Sequence, residues 1–107
     1  EDAQRTKDLV EAEGQDCLLL AGDLTEPAFC RQVVEDTINE YGQLNILVNN
    51  AAVQYPHDRF EQIREEDLLK TFETNIYAMF RVTRAAVPHL TEGDAIINTT
   101  SVTAYQG

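Results

Sequence analysis

Three short apolar runs, Cys17–Ala21, Leu44–Val48 and one starting at Ala95-Ile96-Ile97, are each preceded by a longer stretch with helical spacing. No other feature constrains the fold as strongly. A brief unbroken apolar run is what a strand buried on both faces shows, and such strands belong to parallel sheets. The helical stretches carry their own punctuation. Asp2 to Glu13 is charged, has Leu9 and Val10 as its apolar side, and meets a left-handed stop at Gly14. Thr25 is placed to cap a second helix and Pro27 suits its first turn. Phe29, Val33, Val34, Ile38 and Tyr41 recur along that helix at three-to-four spacing, up to Gly42. A loop rich in turn formers, Gln54 to Phe60, leads to a long helix beginning near Glu65. Glu65, Glu66 and Asp67 suit its positive end, and Pro88 and Gly93 mark its finish. The order helix, strand, helix, strand, helix, strand predicts the α/β class, a parallel sheet covered by helices.

The chain of 107 residues has neither an internal repeat nor a linker, so it reads as one piece of one domain, residues 1–107. A net charge of −11, from 19 acidic against 8 basic residues, argues against nucleic acid and anionic membranes as partners. Cys17 and Cys30 have no metal-site or redox spacing. They read as small core or semi-buried residues in a reducing, intracellular, cytoplasmic setting. No apolar run approaches the roughly 18–20 residues of a membrane span, and no signal-peptide pattern precedes the acidic start. The chain begins at Glu1 without a methionine and ends at Gly107 without a polar tail, so both ends read as cuts.

Ligands of open parallel sheets bind beyond the carboxyl ends of the strands. Each apolar run leads into polar residues there: Gly22-Asp23, Asn49-Asn50, and Thr99-Thr100-Ser101. One such residue is as readily a turn former or a cap, but three at equivalent positions point to a shared ligand crevice. The long helix adds a second clue. At about 100° per residue, Leu68, Phe72, Met79, Val82 and Ala86 fall within about 40° of one line, with Asn75 in their midst. A buried asparagine needs partners, from backbone or water, or serves as an amide that holds a polar neighbour beneath the crevice. A second stripe, Leu69, Ile76, Phe80, Thr83, Val87 and Leu90, offers a face to a partner subunit. His57, in the turn-rich loop, reads as a solvated histidine ahead of the alternative of a substrate contact, His89 as a helix-end residue, and Tyr55 and Tyr77 as surface or interface aromatics.

Leu44-Asn45-Ile46-Leu47-Val48-Asn49-Asn50-Ala51-Ala52 resembles the short-chain dehydrogenase/reductase segment that usually ends Asn-Asn-Ala-Gly. Gly22-Asp23-Leu24-Thr25 is similar to that family's acidic turn after its third strand. Thr74-Asn75 with Ala85-Ala86-Val87-Pro88 resembles its long central helix, and Ile96 to Ser101 the strand that carries its catalytic serine. The four motifs cover essentially the whole chain in the right order, and the look is closest to sugar and polyol dehydrogenases. The resemblance implies a Rossmann-like, doubly wound parallel sheet with helices on both faces, of which only the middle strands and helices are present. It implies NAD or NADP as cofactor and a small-molecule alcohol or ketone as substrate. It also implies a homo-oligomer assembled through the helix near 65–90. By the same resemblance Asp23 accepts a hydrogen bond from adenine, with Leu24 beside the ring. Asn49, Ala51 and Ala52 line the adenosine side, and Asn49 ties neighbouring strands together. Ser101 hydrogen-bonds the reacting oxygen, and Asn75 holds, through a water, the lysine of a proton relay.

Two departures stand out: Ala52 replaces the usual glycine, and Arg64 occupies a position where a Ser or Thr cap is usual. The family's glycine-rich turn is expected before Glu1, and its Tyr/Lys pair after Gly107. Tyr105 follows Ser101 too closely to serve and has no lysine after it. The chain alone is therefore expected to be inactive, and a non-catalytic fragment or nucleotide-binding remnant is the competing reading. A phospho-receiver domain would use Asp23 but needs an acidic pair and a lysine that the other strand ends do not supply. With two strands missing between the first run and the second, strand edges and apolar faces stay bare. That favours self-association, rearranged strands or a longer protein.

Overall fold

A computed structural model describes residues 2–106, and the side chains of all of these except Ala104 and Gln106. Helix α1 (Asp2–Ala12) ends at Gly14, whose φ of 80° is the left-handed conformation a glycine adopts without cost. Helix α2 (Pro27–Tyr41) starts with Pro27 in its first turn and closes at Gly42, whose N–H donates to Ile38 O at 2.7 Å. Its cap departs from expectation. Glu26, not Thr25, is the N-cap residue, because the Thr25 hydroxyl and N–H are both turned back onto Asp23.

Strands β1 (Ile46–Asn49) and β2 (Ala95–Asn98) pair in parallel, with Ile46 opposite Ala95 and Asn49 opposite Asn98. Their entry is fixed by polar side chains: Asp94 accepts from the Asn45 amide at 3.0 Å and from the Thr91 N–H at 2.7 Å. The first apolar run behaves differently. Cys17–Ala21 forms no strand, and among the described residues nothing pairs with it or with the free edge of β1. A strand exists only by virtue of a neighbour, and local composition does not supply one.

The long helix is not uniform. Glu65–Phe72 (α3) and Ala78–Ala86 (α4) are joined by a π-turn over Glu73–Tyr77, and a short 3₁₀ turn at Val87–His89 follows. In the π-turn the Ala78 N–H donates to Glu73 O, five residues back rather than four. The side chains follow the same period. Phe72 and Tyr77 meet with ring centroids 6.3 Å apart, and the Arg81 guanidinium reaches Glu73 at 2.9 Å while lying 5.8 Å from the Tyr77 ring centroid.

The extra residue rotates α3 against α4 by about 100°, so the uniform stripe read from the sequence is broken. Val82 and Ala86 are buried together with Ala78, whereas Leu68 and Phe72 are about half exposed. The core is the seam between Ala78, Val82 and Ala86 of α4 and Cys30 and Val34 of α2, with Leu47 of β1 against it. Two alanines let the helices approach closely, and the Cys30 thiol donates to Leu24 O at 3.1 Å. Thr83 leaves the outward stripe to bond Asn49, while Leu69, Ile76, Phe80 and Val87 stay open to solvent. Helices α2 and α4 thus form one layer over the sheet, and α1 packs against no other element among the described residues. No helix among those residues is long and apolar enough to cross a membrane.

Candidate functional site

Strands β1 and β2 both end in asparagine, and the two amides are joined. Asn49 Nδ2 donates to Asn98 Oδ1 at 2.9 Å and to the Thr83 hydroxyl at 3.0 Å, locking both strand ends to α4. Beyond this lock the backbone turns away from the sheet and opens a cavity of about 680 Å³. Its lining brings together Leu24, Asn49, Ala51, Ala52, Asn75 and Ser101, six of the seven residues singled out in the sequence. Asp23 is the exception: its neighbours Gly22 and Leu24 line the cavity and it does not. A Cβ at Gly22 would sit 2.3 Å from the Phe29 ring that forms the adjoining wall, so a larger residue there would displace that ring.

Asp23 is exposed, and its Oδ1 accepts from the Thr25 N–H at 2.9 Å and the Thr25 hydroxyl at 2.8 Å. The Thr25 N–H chiefly, and its hydroxyl next, favour the ionised form and hold the Asp23 carboxyl below its ordinary value. An ionised Asp23 keeps Oδ2 free to accept a further hydrogen bond. Ser101 Oγ accepts from the Thr103 N–H and hydroxyl, at 3.3 and 3.0 Å, at the start of the short helix α5 (Thr103–Gln106). The Thr103 N–H uses the oxygen as acceptor, and Ser101 belongs to the cavity lining, so its rotatable O–H can serve as a donor there.

Asn75 sits in the π-turn with both ends of its amide committed to one backbone unit. It donates to Val53 O at 2.9 Å and accepts the Val53 N–H at 2.8 Å. The apolar stripe therefore tolerates an asparagine because backbone satisfies it, and the bond pins the loop that follows β1. Ala52, where glycine is usual, carries no backbone strain, since no non-glycine residue among those described has positive φ.

A second constellation lies further along the same loop and was missed in the sequence. Asp67, in the first turn of α3, is 6% exposed. Arg64 does not cap the helix with its side chain but grips Asp67 through Nε and Nη2, at 3.3 and 3.2 Å, and also pairs with Glu66. His57 is an exposed loop residue, as read, but its Nε2 lies 3.4 Å from Asp67 Oδ2. The Arg64 hydrogen bond, ahead of the opposing effect of burial, holds the Asp67 carboxyl below its ordinary 3.8, with the His57 contact adding to it. A carboxyl depressed in the folded state contributes stability above its unfolded value, and that contribution is lost as pH falls through the folded one. The gap in urea midpoint between the native protein and Asp67→Asn is therefore expected to be constant from neutral pH down to about 5, to narrow below about 4, and to close once Asp67 is protonated. A gap that widens on acidification would show the sign to be wrong. No group of three or more His, Cys, Asp or Glu side chains suited to a metal occurs among the described residues.

The comparisons with known proteins agree with this geometry. The family model described as enoyl-(acyl carrier protein) reductase matches residues 1–107. The oxidoreductase YhdF of Bacillus subtilis is 52% identical over 106 residues, covering 99% of this chain and 37% of that protein. The glucose and ribitol dehydrogenase of Daucus carota is 42% identical over 110 residues, covering 99% of this chain and 38% of that protein. Among solved structures, a short-chain dehydrogenase from Burkholderia cenocepacia in complex with NADP superposes with a TM-score of 0.90 at 29% identity, covering 96% of this chain and 42% of that one. The chain thus spans well under half the length of the proteins it matches. The paired strands, the polar residues gathered at their carboxyl ends and these likenesses agree: the chain belongs to the short-chain dehydrogenase/reductase family and forms part of its Rossmann fold.

Proposed function

We propose that the protein carrying this chain is an NAD(P)-dependent oxidoreductase of alcohols, ketones or sugar-type substrates, and that residues 1–107 are the central part of its single dinucleotide-binding domain. The observation that carries this reading is the cavity at the strand ends, which collects Asn49–Ala52, Asn75 and Ser101 on one concave surface. Its volume, about 680 Å³, is in the range of small-molecule and cofactor sites. The lining suits a dinucleotide: Leu24 offers an apolar surface to a base, and the Ala51–Ala52 backbone has no bulky side chain to keep a ligand away. Asp23, ionised and with Oδ2 free, accepts from an adenine amino group at the rim. Asn49 holds the strand ends at fixed separation beneath the ligand.

When bound, the nicotinamide cofactor gives or takes the hydride. This chain's own contribution to the chemistry is Ser101, whose O–H donates to the substrate oxygen as charge develops on it. Asn75 acts through position: it fixes the Val53 backbone and hence the loop that carries Ala51 and Ala52. In the same reading its place in the π-turn supports the water-held lysine of a proton relay. Residues 1–107 by themselves contain no Tyr-x-x-x-Lys after Ser101, and on this reading they transfer no hydride. The open face of Leu69, Ile76, Phe80 and Val87 is the contact through which the protein forms a homo-oligomer, and its compartment is the cytoplasm.

The test is a fluorescence titration of the intact protein with NADH and with NADPH, followed by assays with ribitol, glucose and a simple ketone. Binding of at least one cofactor in the micromolar range, with turnover of one substrate, is expected. Failure of both cofactors to bind would overturn the reading.

A further inference from the structure

Beside the cofactor cavity lies a second one of about 330 Å³, lined by Tyr55, His57, Ile63, Asp67, Leu68 and Thr71. The two are neighbours along the same loop and the same helix. Ala51, Ala52, Thr74 and Asn75 line the first, Tyr55, His57 and Thr71 the second, and the Asn75–Val53 pair stands between them. The loop is thus strapped to the helix at two points, by Asn75 at Val53 and by Asp67 at His57. Thr71 of the second lining and Thr74 and Asn75 of the first lie within one turn of the same helix, which sets the two cavities side by side along it.

The second cavity has the chemistry of a hydroxyl-recognition site. Ile63 and Leu68 offer apolar surface for C–H groups, while Tyr55, His57 and Asp67 bring polar ones. Asp67 is kept ionised by Arg64, and its Oδ2 lies 3.4 Å from His57 Nε2. Neither His57 Nδ1 nor the Tyr55 hydroxyl has a hydrogen-bond partner among the described residues, and both residues line the cavity. Asp67 is 6% exposed, and Arg64 holds its carboxylate charged beside His57. That carboxylate is well suited to orienting an imidazole whose other nitrogen meets a ligand.

We propose that this second cavity is a substrate subsite that receives the hydroxyl-bearing end of a polyol or sugar, with His57 and Tyr55 as the recognising groups and Asp67 as the residue that positions His57. This rests on the oxidoreductase reading only for the identity of the molecule as substrate. Occupancy of the cavity by a polyol is a separate physical claim and is tested as such.

The experiment follows the His57 ring resonances of the intact protein by NMR, assigned with His57→Gln, while ribitol or 1-pentanol is added in the millimolar range. Ribitol is expected to shift the His57 signals saturably and 1-pentanol to leave them in place. Equal shifts from both, or none from ribitol, would overturn the subsite. In Asp67→Asn the His57 ring resonances are expected to move, with ribitol affinity falling about fivefold to tenfold and NADPH affinity unchanged. Unmoved ring resonances with native ribitol affinity would remove Asp67 from the proposal. The cofactor titration separates the two readings. A protein that binds NADPH and turns over alcohols while ribitol leaves His57 unmoved loses the subsite alone. One that holds ribitol at His57 but binds no nicotinamide cofactor loses the oxidoreductase reading and keeps the subsite.

Discussion

Replacing Asn75 by leucine is expected to destabilise the protein by about 2–3 kcal/mol and to weaken NAD(P)H binding about tenfold. The side chains are of similar size, so little volume is lost and the effect is one of hydrogen bonding. Asn75 supplies partners to both main-chain polar groups of Val53, as donor to its carbonyl at 2.9 Å and acceptor of its N–H at 2.8 Å. Leucine supplies neither. Two backbone groups in a partly buried position lose their partners, and each such loss costs about 1–3 kcal/mol when water cannot replace it. The loop can swing out to find water, which caps the total but moves Ala51 and Ala52 from the cavity wall. Lys70→Ala, exposed on α3 and outside the cavity lining, changes stability by no more than about 0.5 kcal/mol. Urea midpoints of both variants, with a cofactor titration of each, decide the matter. An unchanged midpoint for Asn75→Leu would mean that the strap carries no load.

That bond also shows where the sequence was legible and where it was not. Asn75 was conspicuous because a polar amide interrupts an apolar stripe, and the glycines at 14, 42 and 93 mark turns where their positive φ is used. The polar clusters after the apolar runs were readable for the same reason: strand ends are fixed by short-range pattern, and ligand crevices form there. That Cys17–Ala21 stays outside the sheet was not, because pairing depends on a neighbour that local composition does not name. The π-turn was invisible, since i→i+5 bonding over Glu73–Tyr77 uses residues that an α-helix would accept equally well. Its consequence was a rotated register, which exposed Leu68 and Phe72 and brought Thr83 onto Asn49. His57 and Asp67 are ten residues apart across a loop and a turn, a spacing that matches no periodicity, so their pairing emerges only from the fold.

Ser101→Ala is expected to lower kcat of the intact enzyme by about 10²–10³-fold while leaving cofactor affinity within a factor of about two. Ser101 belongs to the cavity lining, and its oxygen accepts from the Thr103 N–H. A donor placed where negative charge develops contributes more in the transition state than in the ground state, so its loss falls on kcat rather than on KM. The structural cost is small, because the two bonds that Ser101 accepts from Thr103 are exposed and water replaces them. Ser101→Thr keeps an O–H at the same atom and is expected to recover a large part of the rate. Steady-state kinetics on the three proteins, with NAD(P)H titrations alongside, separate the possibilities. A kcat within about threefold of native for the alanine variant would mean that Ser101 only shapes the turn into α5. The donor to the reacting oxygen would then have to be found elsewhere on the cavity wall, with the Thr99 and Thr100 hydroxyls the nearest alternatives in the same lining.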